Sequence, residues 1–190
     1  LQAALGQGGL EGLIGQEFLG EFRCDFTVKP GGDEANPVTH VTFGYATQVV
    51  MLDEQGHLEK VIAAHDVGRV MNPVTCRGQI TGGVHMGLGH ALTEDLPSTE
   101  GLMDSTKLND LRILRAKHTP EIEVILVEVP DPHTRRGVKG VGEIGLVPTA
   151  GAVAGALLAF DGIHRVRLPM KGCAAARAIL PRRLAEEDHA

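Results

Sequence analysis

From Ile144 to Phe160 the chain reads IGLVPTAGAVAGALLAF, seventeen residues without a single charge. A stretch of this kind must be taken out of water, so it dictates that the rest of the fold supply a surface to cover it. It is shorter than the ~20 apolar residues that a membrane span requires and is rich in glycine, which points to burial within protein. The pattern predicts a buried apolar helix over about 146–160, with Pro148 in its first turn, where a missing N–H costs nothing. With 190 residues, 43% of them hydrophobic and 22% charged, the chain has the length and apolar content for a proper core in one domain or two small ones.

Directly before this helix stand Gly137-Val138-Lys139-Gly140-Val141-Gly142-Glu143-Ile144-Gly145. One carboxylate is set among glycines, where the backbone can approach a ligand closely and adopt positive φ angles. Glu143 is expected near a helix N-terminus, where the dipole favours its charge and burial opposes it. It is either a helix cap or a general base beside a ligand cradle. The same stretch contains G-x-G-x-x-G through Gly140, Gly142 and Gly145, with Asp161 placed 21 residues after Gly140. A nucleotide-binding module using Gly140–Gly145 is therefore an alternative. Its context is poor: a dinucleotide turn follows its strand at once, whereas the strand expected to end at Val129 is followed by Pro130, Pro132 and Arg135-Arg136.

Upstream, Leu1–Gly15 is glycine-rich, Gln16–Val28 with Phe18, Phe22 and Phe26 reads as extended, and Lys29–Pro37 has turn chemistry throughout. Residues 1–37 are thus expected to be an irregular lead-in to a domain spanning 38–190. Val38–Leu52, a turn at Asp53–Gly56 and Leu58–Ala64 predict a β-hairpin, and Glu121–Val129 predicts a further strand. Asn72-Pro73 is an N-cap followed by proline at the first helical position, opening a helix carried to about Glu94. That helix contains Gly78, Gly82, Gly83, Gly87 and Gly89. Relative to alanine they cost ~4–5 kcal/mol in helix propensity. Such a cost implies that the space is used, either by another backbone packed close or by a large rigid ligand. Gln79, Gly82, Gly83 and Met86 share one face, so the Gln79 amide is available to a ligand lying across the glycines. Pro169–Leu180 predicts a short closing helix. The expected fold class is α+β: a mixed sheet with a β-hairpin, packed against a glycine-rich helix and a buried apolar helix.

The net charge of −6 and the lack of a clustered basic stripe argue against nucleic acid or an anionic membrane as partner. No secretory signal is visible. Cys24, Cys76 and Cys173 form no C-x-x-C pair, which argues against a disulfide framework, a structural zinc or an iron–sulfur cluster, and suits buried thiols in a reducing cytoplasm. Among nine histidines no H-x-x-x-H pair occurs, so no protein-ligated metal is expected. A start at Leu1 without methionine suggests a fragment or a processed subunit, with part of any site on residues outside these 190.

Taken together, Asn72-Pro73, Gly78-Gln79-Ile80-x-Gly82-Gly83-x-x-x-Gly87-Leu88-Gly89 and Lys139-Gly140-Val141-Gly142-Glu143 resemble the C-terminal part of the molybdopterin-binding subunit of the xanthine dehydrogenase and aldehyde oxidase family. His65-Asp66-Val67-Gly68-Arg69 belongs to the same pattern, and the similarity runs from about Phe18 to Leu180. Thr119-Pro120-Glu121-Ile122-Glu123-Val124 and Glu143-Ile144-Gly145-Leu146-Val147-Pro148 are most similar to the selenium-dependent xanthine dehydrogenases. The resemblance implies a molybdenum hydroxylase acting on a purine-like heterocycle with oxygen taken from water. Glu143 would be its catalytic base, and Gln79, Gly82, Gly83 and Gly142 would contact the molybdopterin cofactor. It further implies a labile selenium ligand, a metal held by the pterin and by no side chain, and iron–sulfur and flavin groups on other domains or subunits. Its expected partners are the remainder of the catalytic subunit and a small-molecule substrate. Met86 stands where many members carry glutamine, and Leu108–His118 lacks the family's aromatic and proline pattern. A structural domain without chemistry is the other alternative.

Overall fold

The computed structural model describes residues 42–180 except 135, together with the isolated positions 15, 17, 19, 21, 28, 33 and 35. The chain divides into two compact units, Leu1–Val41 and Thr42–Ala190, and every element of the described fold lies in the second. The expectations for Gln16–Val28 and Lys29–Pro37, and for Val38–Val41 of the first strand, fall largely or wholly outside the described residues.

Strand β1 (Ala46–Leu52) and strand β2 (Leu58–Asp66) form the expected antiparallel hairpin. Its turn closes because Asp53 Oδ1 accepts from the backbone N–H groups of Gln55 and His57, at 2.9 and 2.8 Å, while Gly56 takes φ +81°. Helix α1 (Pro73–Leu92) follows, capped as the sequence predicts: Asn72 Oδ1 accepts from Val74 N at 3.0 Å and Thr75 N at 3.2 Å. A small hairpin, β3 (Ser98–Thr99) and β4 (Leu102–Met103), and two 3-10 turns lead into β5 (Glu121–Val127). Strand β5 pairs parallel with β2, so the sheet runs β1-β2-β5 and is mixed, with α1 inside the crossover. Helices α2 (Thr149–Asp161) and α3 (Ala174–Ile179) complete the α+β arrangement.

The alternation of the strands sets one face inward. Val50 pairs with Val61, Gln48 with Ala63 and Ala46 with His65, while Ala63 is flanked on its other side by Val124. Onto Val50, Val61, Ala63 and Val124 pack Ile80, Val84, Leu88 and Leu92 of α1 with Val153 and Leu157 of α2. The four-residue spacing of these helical positions places each set on one stripe.

Helix α2 begins later than its sequence suggests and is buried along a single stripe, Thr149, Val153 and Leu157. Residues before Thr149 form successive turns, with Leu146 N donating to Glu143 O at 3.0 Å and Thr149 N to Leu146 O at 3.1 Å. Gly151, Gly155 and Phe160 face outward. The uncharged sequence on those outward positions is not covered within the described residues.

Candidate functional site

The two glycine-rich motifs meet. Gln79 Nε2 donates to the carbonyl oxygen of Gly142 at 2.5 Å, joining α1 to the peptide that precedes Glu143. Three of the glycines explain the closeness. A Cβ on Gly83 would stand 2.9 Å from Gly145 Cα and 3.0 Å from Leu146 N, and one on Gly145 would stand 2.8 Å from Ile80 O. Likewise a Cβ on Gly87 would meet the Thr149 side chain at 2.5 Å. Gly83, Gly87 and Gly145 are thus consumed by close packing of α1 against the loop and the first turn of α2.

Gly82, Gly140 and Gly142 differ, because an added Cβ would meet nothing at any of them. Gly82, Gln79, Met86, Gly142 and Glu143 are all exposed. The face expected to hold Gln79, Gly82, Gly83 and Met86 together is therefore split. Gly83 turns to the loop, and its expected place at a ligand is occupied by Gly145 and Leu146, while Gln79, Gly82 and Met86 look outward beside Gly142. Among the described residues nothing lies within 4 Å of where a Cβ would stand on Gly82 or Gly142. Beside it lies a cavity of about 390 Å³ lined by Asn72, Thr75, Cys76, Gln79, Lys139 and Val141, among others.

Glu143 does not cap α2. The helix starts six residues later, and Pro148 occupies its N-cap position with no side-chain capping bond. Neither is the acid buried: Glu143 is exposed, contrary to the surroundings expected from its apolar neighbours in sequence. The dinucleotide reading loses its context as well. Strand β5 ends at Val127, thirteen residues before Gly140, and α2 opens four residues after Gly145. Asp161 is committed to an ion pair with Arg165 at 2.5 Å that holds its carboxyl down at about 2.

The loop's beginning is anchored to the segment after β2. Gly68 bridges Val138, Arg69 N donates to Gly137 O at 2.7 Å and Lys139 N to Val67 O at 3.3 Å. Gly68 has φ +61°, and a Cβ there would stand 2.5 Å from Gly137 O, so glycine is required twice over. Lys139 Nζ reaches Asp66 Oδ2 at 2.6 Å and Phe43 O at 2.8 Å, with the Lys139 and Asp66 side chains only 9% and 6% exposed. Burial works against the Asp66 charge, but the Lys139 ammonium and the Gly68 N–H outweigh it and hold the carboxyl below its ordinary range. Both residues belong to motifs quoted from the sequence, yet nothing in their spacing announced that they pair.

A residue outside every motif also touches the loop. Gln48, on the inward register of β1, donates from Nε2 to Gly145 O at 2.8 Å and lies 3.1 Å from His65 Nε2. Burial pushes the His65 pKa down. The sequence signal for Gln48 is a lone amide on the inward period of a hairpin, two residues before buried Val50. Cys76 and Cys173 are free thiols raised by burial, and Cys24 lies outside the described residues. Among the described residues no helix is long and apolar enough to cross a membrane.

Residues 12–120 match the family described as the molybdopterin cofactor-binding domain. The chain is 30% identical over 134 residues to the putative xanthine dehydrogenase molybdenum-binding subunit XdhA of Escherichia coli, covering 70% of this chain and 17% of that protein. It is 37% identical over 101 residues to the nicotine 6-hydroxylase large subunit of Paenarthrobacter nicotinovorans, covering 53% of this chain and 12% of that protein. In three dimensions it is similar to the aldehyde oxidoreductase of Desulfovibrio gigas, with a TM-score of 0.62, 27% identity and coverage of 70% of this chain and 15% of that one. The chain spans less than a fifth of the length of each of these relatives.

Proposed function

The chain belongs to the molybdopterin cofactor-binding domain of the xanthine dehydrogenase and aldehyde oxidase family, and we propose that it supplies the catalytic base and part of the cofactor cradle of a molybdenum hydroxylase. The observation that carries this reading is the Gln79–Gly142 hydrogen bond, which makes one outward patch of the two motifs and sets Glu143 at its edge. The residues present suit a rigid planar cofactor. Gly82 and Gly142 leave bare backbone with nothing where a Cβ would be, and Gln79 keeps its carbonyl oxygen as an acceptor after donating to Gly142. When bound, the molybdenum cofactor supplies the two-electron oxidation and the oxygen from water.

The protein's own part is proton chemistry and placement. The Glu143 carboxylate accepts the proton released as the carbon–oxygen bond forms, a task worth ~10²–10⁴-fold for a positioned base. Its peptide neighbours are fixed by Gln79 on one side and by the turn from Glu143 O to Leu146 N on the other. That fixation holds the backbone from which the carboxylate projects. Gly83 and Gly87 act indirectly, since without them α1 would stand off from the loop and the Gln79 bond would not reach.

The finer reading is a purine-like substrate of the xanthine or hypoxanthine type and a labile selenium ligand, resting on the Thr119–Val124 and Glu143–Pro148 resemblance. The remainder of the catalytic subunit, with iron–sulfur and flavin groups on other domains or subunits, would complete the site and carry the electrons away in the cytoplasm. The complete enzyme containing this chain should be purified, its molybdenum, pterin and selenium measured, and purines and aldehydes offered in parallel. Purine turnover with selenium present supports the finer reading. Turnover of aldehydes alone, without selenium, removes it, and absence of pterin from an intact complex removes the cofactor assignment.

A further inference from the structure

The loop that carries Glu143 is gripped by two glutamines, one at the peptide just before the acid and one at the carbonyl two residues after it, and only one of those glutamines belongs to a motif. Gln79 comes from α1 and holds the Gly142 carbonyl; Gln48 comes from the sheet and holds the Gly145 carbonyl at 2.8 Å. The second grip is costly to build. An amide nitrogen carries two hydrogens and no lone pair to accept with, so Gln48 Nε2 donates both to Gly145 O and to His65 Nε2. His65 must then offer a bare Nε2 and carry its proton on Nδ1. Turning the amide over would set Oε1 against the Gly145 carbonyl, acceptor against acceptor, so the observed orientation is the one that bonds both partners.

The consequence is that Gln48 Oε1 and His65 Nδ1 are both buried with no partner among the described residues. Buried polar groups left unpaired oppose folding, and an apolar side chain between Ala46 and Val50 would fill the same inward position without that penalty. An amide at this position is explained by the bonds it makes, and its bond outside the sheet is to the loop. Thr149 Oγ1 reaches the same carbonyl at 3.1 Å, so the Gly145 oxygen is held by two donors from different elements. On the reading of Glu143 as base, we propose that Gln48, oriented by His65, is a positioning residue that fixes the Gly145 peptide and with it the loop backbone from which Glu143 projects. Gln48 acts through the backbone and touches no reacting atom.

Gln48→Met in the complete enzyme tests this, because methionine keeps the length of the side chain and loses both donors. The expected result has three parts: amide exchange at Leu146 and Thr149 faster by at least ~10-fold, as for a loosened local unit; kcat lower by ~10- to 100-fold, the scale of a small misplacement of a reacting group; and KM and molybdenum content unchanged. Gln48→Leu should behave in the same way. Unchanged exchange at Leu146 and Thr149 overturns the inference whatever the activity. A Glu143→Gln enzyme run alongside separates the two claims. If Glu143→Gln is inactive and Gln48→Met turns over at the wild-type kcat, the positioning role alone is overturned. If Glu143→Gln retains full turnover, the base assignment fails and the positioning role fails with it.

Discussion

Gly82 and Gly83 are neighbours on one helix and start from the same intrinsic penalty, so alanine at each isolates what the fold does with the space. In an exposed helix interior the change gains ~0.8–1 kcal/mol over glycine. At Gly82 that gain is unopposed, since the new Cβ meets nothing, and Gly82→Ala should stabilise the chain by up to ~1 kcal/mol. At Gly83 the same Cβ would press on Gly145 Cα at 2.9 Å, Leu146 N at 3.0 Å and Gly145 C at 3.1 Å. All three are backbone atoms and cannot swing aside, so α1 and the loop must separate. Overpacking of this kind costs ~1–3 kcal/mol. Set against the propensity gain, Gly83→Ala should end between neutral and a net loss of ~2 kcal/mol. The two variants should therefore differ by ~1–3 kcal/mol, or ~2–12 °C in melting temperature for a chain of this size. Thermal unfolding of the 190-residue chain, followed by circular dichroism, reads the difference directly. In the complete enzyme the order should invert for the cofactor: Gly82→Ala, the more stable variant, should lose bound pterin because its methyl group stands on the outward patch. Equal thermal shifts at the two positions would refute the division of the glycines into packing and ligand-facing sets.

Lys139→Met should destabilise the chain by ~3–5 kcal/mol, since it leaves the Asp66 carboxylate buried without its cation, and Asp66→Asn in the same chain should restore part of the loss by removing that charge; urea unfolding of the single and double variants checks both. The Asp66 carboxyl is held low in the fold, so its stabilisation is present above an unfolded-state pKa of ~3.9 and disappears as pH falls below that value. His65 has the opposite chemistry and the same acid sensitivity. Its folded pKa is lowered by burial, the unfolded chain binds the proton more readily, and stability should fall as pH drops below ~6.5, by up to ~1.4 kcal/mol per pH unit from this one residue. Comparing the slope of stability against pH in wild type and His65→Leu between pH 7 and 5 tests this, and identical slopes would contradict it.

The parts of this fold that could be read in sequence were those governed by local rules. Asn72-Pro73 announces α1 because the Asn72 amide accepts from two of the helix's first free N–H groups and a proline at the first helical position has no N–H to leave unpaired. Asp53–Gly56 announces the hairpin for the same kind of reason. The start of α2 was less legible. Ile144–Pro148 shares the apolar composition of the helix, but its backbone forms turns packed on Ile80 and Gly83, a contact between segments more than fifty residues apart. The division of the glycines could not be read for the same reason, since Gly82 and Gly83 are alike until Gly145 is placed against one of them. Glu143 was legible as a lone acid among glycines, but its exposure was not, because its apolar neighbours Val141 and Ile144 pack against the core while the acid between them faces out. Gln48 was hidden by being an ordinary polar residue in a strand; its period with Val50 hints that it points inward, but its bond to the loop appears only in the fold.

The central claim is that Glu143 takes a proton in a hydroxylation, and one measurement addresses it most directly: steady-state turnover of the complete enzyme carrying Glu143→Gln, with molybdenum and pterin quantified in the same sample. Glutamine keeps the shape and cannot act as the base. The account predicts a fall in kcat of ~10²–10⁴-fold at unchanged molybdenum and pterin content. Wild-type turnover at full cofactor loading would contradict it.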